Sequence, residues 1–104
     1  MSWKRKPQEC PGDYSFSGKL LITRTVYQRL VDSEIRNIIT DLRKFVRSEG
    51  GLVDYLQVYE NQITGEKLYF IDNLSQSDKK EFADREDVKL EDYDYHTLLF
   101  AQEY

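Results

Sequence analysis

A run of carboxylates interleaved with tyrosines is the strongest chemical signal in the C-terminal half of this sequence. The residues of this run are Asp84, Glu86, Asp87, Glu91, Asp92, Tyr93, Asp94 and Tyr95. Closely spaced carboxylates imitate the phosphate charges of a nucleic acid, and tyrosine gives rigid contact area with a polar tip. The run therefore predicts a surface that binds a basic protein. A charged loop that only keeps the domain soluble is the alternative.

Three arginines, Arg36, Arg43 and Arg47, form a second candidate surface. On a helix they fall within about 40° of one another, and guanidinium groups bind phosphates or carboxylates well. With the basic segment Lys4-Arg5-Lys6 they predict, as an alternative, contact with a nucleic acid. The low pI of about 5.0 argues against it, because nucleic-acid-binding domains are usually basic. An ordinary solvated helix face is the simplest interpretation.

A third group, Asp92, Asp94 and His96, alternates onto one face if the segment is extended. Two carboxylates and an imidazole suit a divalent metal, but in a helix only Asp92 and His96 remain together. An exposed histidine beside acids explains the same residues. The chain has one cysteine, Cys10, one histidine and no glycine-rich phosphate loop, so we expect no enzymatic activity, no metal and no cofactor.

Composition indicates one small, highly charged domain. The chain has 104 residues, of which 33% are charged and 39% hydrophobic, and a net charge of −4. Residues 1–53 hold ten Lys/Arg against six Asp/Glu, whereas residues 54–104 hold five against thirteen. No apolar run is long enough to cross a bilayer and no signal-peptide core follows the basic start. With a single cysteine, these features predict a cytoplasmic protein.

The spacing of apolar residues and the positions of Pro and Gly predict the helices and strands that hold these residues. Pro7, Pro11 and Gly12 interrupt residues 1–17, which we expect to be a flexible basic arm. Residues 19–25 are typical of a strand. Asp32 or Ser33 is expected to cap a long amphipathic helix, which Gly50-Gly51 would end. Its apolar positions are Ile35, Ile38, Ile39, Leu42, Phe45 and Val46, at the i, i+3, i+4 spacing of a helix.

The second half predicts a hairpin with strands 52–60 and 67–72, then a helical turn near 78–82 and an acidic loop over 84–94. Residues 95–104 fit a helix or a strand, and the spacing of Tyr95, Leu98, Leu99 and Gln102 favours a helix. The expected fold class is α+β. It comprises a small, mainly antiparallel sheet packed by one main amphipathic helix, with a C-terminal helix, in a single domain of residues 18–104. An open sheet edge or the tyrosines would suit a homodimer.

Two stretches resemble a known family: Leu21-Ile22-Thr23-Arg24 before a helix, and the block DYLQVYE at 54–60. Over about residues 18–72 the chain resembles small single-domain proteins of Gram-positive bacteria and of their phages and plasmids. Members of that family carry no established activity, so the resemblance transfers no site residues. It implies an accessory protein of a bacterium or mobile element. We therefore expect an inhibitor of a host defence or DNA-processing protein, an anti-defence role of the nucleic-acid-mimic type.

Overall fold

The computed structural model describes residues 2–104. Its central element is one five-stranded sheet. Its strands are β1 (Trp3–Arg5), β2 (Lys19–Ile22), β3 (Leu56–Asn61), β4 (Lys67–Asp72) and β5 (Tyr95–Phe100). The helices are α1 (Arg24–Arg29), α2 (Asp32–Ser48) and α3 (Gln76–Ala83), with single 3₁₀ turns at Leu90–Asp92 and Ala101–Glu103. The strand order is β1-β3-β4-β5-β2, and only β2 and β5 pair in parallel. The predicted α+β class, with a mainly antiparallel sheet and one main helix, is confirmed.

The inner face of the sheet carries the core. Along β4 and β5 every second side chain is buried, as the period of a strand requires. Leu68, Phe70, Leu98 and Phe100 are buried there against the apolar stripe of α2. Burial of this stripe, rather than helix propensity alone, holds α2 in place.

The ends of α2 follow capping chemistry. The helix includes both Asp32 and Ser33, so the cap residue is Val31 rather than either predicted side chain. The carboxylate of Glu34 accepts the Val31 N–H at 3.1 Å in their place, and its charge favours the helix N-terminus. At the other end Gly50 and Gly51 adopt φ values of 64° and 76°, the left-handed conformation that glycine tolerates and that ends helices.

The predicted flexible arm, residues 1–17, is the first difference from expectation over residues 2–17, and Met1 lies outside the described residues. Trp3 is only 3% exposed, and β1 pairs antiparallel with β3. The Trp3 Nε1–H donates to Glu34 Oε2 at 3.1 Å. Arg5 lies over the Phe45 ring at 3.7 Å and its Nε is 3.2 Å from Asp41 Oδ2. These contacts with α2 and β3 order a segment whose own sequence shows no strand pattern.

The C-terminus is the second difference, because residues 95–100 form strand β5 and not a helix. β5 lies between β4 and β2, with Leu98 opposite Phe70 and His96 opposite Leu20. Hydrogen bonds from two neighbouring strands outweigh the local helical spacing, and only the 3₁₀ turn Ala101–Glu103 follows. None of the helices in residues 2–104 is both long and apolar enough to cross a membrane.

Candidate functional site

The acidic loop between α3 and β5 is exposed. Asp84, Glu86, Glu91 and Asp92 are all at the surface and form no ion pair within residues 2–104. Asp87 differs, since its carboxylate pairs with the Arg85 guanidinium at 2.9 Å, which lowers the pKa of Asp87. Over residues 84–92 the sequence holds five carboxylates but only two cations, Arg85 and Lys89, so the loop has an excess of three negative charges.

The last three residues of the predicted acidic and aromatic run separate from that loop. Tyr93 is 44% exposed and packs edge-on against Phe82 at 5.4 Å between ring centroids. Asp94 is half-buried, with its Oδ1 3.0 Å from Lys79 Nζ. Tyr95 opens β5 and lies on the outer face of the sheet. The structure therefore keeps five of the eight residues as one charged loop and gives the other three different surroundings.

Asp92, Asp94 and His96 do not meet as metal ligands. Asp92 lies in an exposed 3₁₀ turn, Asp94 pairs with Lys79, and His96 points inward from β5. The alternation that would align them requires a strand through all three, but β5 begins only at Tyr95. Within residues 2–104 no group of three ligand-type side chains converges on one point.

The arginine stripe is present on α2, where Arg36, Arg43 and Arg47 are exposed. None of them forms an ion pair in the described part of the chain. The N-terminal basic segment does not join them as a unit. Arg5 is held by Asp41, and Lys6 Nζ is 3.6 Å from Glu60 Oε2 on the edge of the sheet.

The outer face of the sheet is the surface that the sequence interpretation missed. Its outward positions are half-buried or exposed: Lys19, Leu21, Leu56, Val58, Glu60, Lys67, Tyr69, Ile71, Tyr95, Thr97 and Leu99. Antiparallel strands with one solvated face usually alternate apolar and polar residues. Here β4 and β5 carry Tyr69, Ile71, Tyr95 and Leu99 outward, so the face is unusually apolar for a solvated one.

A shallow hollow of about 200 Å³ marks the most apolar part of this face. Ile71, Asn73, Tyr95, Thr97, Leu99 and Tyr104 line it. Tyr104 packs edge-on against Tyr69 at 5.8 Å and is itself largely exposed. The Asn73 side-chain amide donates to the Tyr93 carbonyl at 2.6 Å, which links the rim of the hollow to the end of the acidic loop.

A buried polar pair lies on the opposite, inner face of the sheet. Asp72 and His96 are cross-strand neighbours in β4 and β5 and are 2% and 3% exposed. Asp72 Oδ2 accepts the Phe16 N–H at 2.8 Å, whereas Asp72 Oδ1 and His96 Nδ1 have no partner in residues 2–104. Burial raises the pKa of Asp72, against the effect of the Phe16 N–H. Burial, with smaller effects from Arg43 and Lys79, lowers the pKa of His96 to about 4, so His96 is neutral at pH 7.

Comparison with known proteins gives no match: no family model, no curated protein and no solved structure matches this chain. The resemblance carried by residues 18–72 therefore stays a prediction.

Proposed function

We propose that the chain is a non-enzymatic binding protein that docks a partner protein on the outer face of its sheet. The partner segment is apolar and carries Lys or Arg beside the apolar part. The observation that carries the proposal is the apolar outer row of β4 and β5, Tyr69, Ile71, Tyr95 and Leu99, on a face that no helix covers within residues 2–104. Exposed apolar patches rimmed by polar residues are typical of protein interaction sites.

Charge supports the choice of partner. The acidic loop ends at Asp92, three residues before Tyr95, and presents Glu91 and Asp92 without ion partners in the described residues. An apolar centre with a charged rim is the usual anatomy of a protein interface, in which the rim governs orientation and association rate. Lys19 and Lys67 lie on the same face, and the Glu60 carboxylate there is 3.6 Å from Lys6 Nζ, so the unpaired negative charge beside this face is that of the loop.

A basic partner surface also suits the inhibitory role expected from the sequence. Proteins that bind nucleic acids expose rows of Lys and Arg that contact successive phosphates. Carboxylates placed against such a row would occupy the positions of the phosphates. The protein would then act by excluding nucleic acid from its partner.

Selection from a library of random 15-residue peptides tests this proposal. We expect the enriched peptides to combine aliphatic or aromatic residues with Lys or Arg, and their charge-reversed versions to lose binding. Leu99→Asp should abolish binding, whereas Ile63→Asp, at an apolar residue that is 83% exposed on the hairpin turn, should leave it unchanged. Equal binding by both variants would exclude the sheet face as the docking surface.

The charged rim needs its own pair of variants. Glu91→Gln with Asp92→Asn should slow association and reduce its salt dependence. Glu49→Gln with Asp32→Asn removes two exposed acids at the ends of α2, on the other side of the sheet, and serves as the control. Light scattering on the free protein provides a further outcome. A dimer that Leu99→Asp dissociates would make the occupant a second copy of this chain and overturn the proposed partner.

A further inference from the structure

A second hollow, of about 210 Å³, lies on the side of the molecule opposite the outer sheet face. It forms where the loop before β2 meets the last turns of α2. Its lining consists of Ser15, Phe16, Ser17, Arg43, Val46 and Arg47. It thus combines two cations and two hydroxyls with apolar side chains, a different chemistry from that of the docking face.

The cations of this hollow are available for a ligand. Arg43 and Arg47 are one helical turn apart, are exposed, and form no ion pair within residues 2–104. The nearby Lys79 is different, because its charge is matched by Asp94 at 3.0 Å. Guanidinium groups donate hydrogen bonds in a planar fork that fits phosphate and carboxylate oxygens.

The two hydroxyls complete the set of donors. Ser15 Oγ and Ser17 Oγ are 2.9 Å apart, and Lys79 Nζ donates to Ser17 Oγ at 2.9 Å. In the hydrogen bond between the two serines either hydroxyl can be the donor. Whichever of them donates, the other keeps a proton that it can donate to an anion in the hollow.

The loop that carries these hydroxyls is held rigidly. Phe16 has a φ of 49°, an uncommon conformation for a non-glycine residue, and such conformations cluster at functional sites. Its N–H is fixed by the buried carboxylate of Asp72 at 2.8 Å. Asp13 Oδ2 accepts from the Ser77 N–H at 3.0 Å and the Ser77 hydroxyl at 2.6 Å. Rigid donors lose little entropy on binding, which favours a preformed site.

We propose that this hollow binds a phosphate monoester. A phosphate dianion offers three terminal oxygens, which matches two arginine forks and the serine hydroxyls better than the two oxygens of a carboxylate do. The carbon group attached to the phosphate would lie against Phe16 and Val46. The site is independent of the docking face and of the function proposed for it.

Calorimetry with phenyl phosphate, inorganic phosphate and benzoate tests the site. We expect phenyl phosphate to bind more tightly than inorganic phosphate, and benzoate to bind at least tenfold more weakly. A phosphotyrosine hexapeptide distinguishes the source of the phosphate. Tighter binding than phenyl phosphate indicates a phosphorylated protein side chain, and equal binding indicates a small phosphorylated molecule.

Arginine variants provide the matched control. Arg43→Gln and Arg47→Gln should each weaken phenyl phosphate binding about tenfold, as expected for loss of a charged hydrogen bond. Arg36→Gln removes the same charge from the same helix face outside the hollow and should change it less than twofold. Ser17→Ala should reduce the preference for phenyl phosphate over benzoate. Equal effects of Arg36→Gln and Arg43→Gln, equal binding of benzoate, or no binding at millimolar phenyl phosphate would overturn the proposal.

Discussion

Acidification should destabilise this protein chiefly through one residue, His96. Its ring stacks on Phe70 at 5.5 Å and meets the edge of Phe16 at 5.8 Å. It is 3% exposed. Burial lowers its pKa from 6.5 to about 4, with Arg43 and Lys79 acting in the same direction and Asp94 opposing them. A proton on His96 therefore introduces a charge that the surrounding core solvates poorly.

The magnitude follows from the two pKa values. Between pH 6.5 and pH 4 the unfolded chain binds a proton at His96 that the folded chain does not. The free energy of unfolding consequently decreases as the pH is lowered through this window. Relative to neutral pH, the decrease is about 2 kcal/mol at pH 5 and about 3 kcal/mol at pH 4. The neighbouring Asp72 acts with the opposite sign. Its raised pKa means that protonation favours the folded state as the pH falls, which offsets part of the loss at the acidic end.

Urea unfolding at pH 7.5, 5 and 4 measures this effect, with His96→Gln as the comparison. Glutamine is uncharged throughout, so its variant should lose about 2 kcal/mol less than the parent chain between pH 7.5 and pH 5. Any change that the substitution makes at pH 7.5 cancels in this difference. Parallel pH profiles for the two proteins, or a His96 titration near pH 6.5 observed by NMR in the folded state, would refute the reasoning.

Two further substitutions, with a third as a control, test the packing that positions the sites. Trp3→Ala should lower the free energy of unfolding in urea by about 4 kcal/mol, as for other buried tryptophans. A decrease below about 0.5 kcal/mol would support the flexible-arm interpretation instead. Gly18→Ala should cost about 2 to 3 kcal/mol, since a Cβ at Gly18 would overlap the side-chain Oδ1 and carbonyl oxygen of Asp94. Gly65→Ala, at a φ of 77° with no atom near the added Cβ, should cost only about 1 kcal/mol; equal losses at the two glycines would contradict the predicted overlap at Gly18.

Local pattern was sufficient for the elements that bury one continuous stripe. The apolar spacing from Ile35 to Val46 predicted α2, and the second strand of the predicted hairpin, 67–72, has the observed limits of β4. The local pattern did not predict β1, because a three-residue strand with two cations is too short to show a periodicity. β1 exists through its pairing with β3 and the burial of Trp3, and both are tertiary effects.

The candidate sites show a related limit, since a sequence gives the charges of side chains but not their partners. Asp92 and Asp94 are alike in the sequence, yet one is exposed and the other is paired with Lys79. The arginine stripe was visible from spacing alone. The serines that line a hollow together with Arg43 and Arg47 come from a different segment, the loop at residues 13–18. The outer row of β4 and β5 was not visible, because the helical spacing of residues 95–104 conceals the strand that carries Tyr95 and Leu99. Only the position of α2 on the inner face identifies the row that is left for a partner.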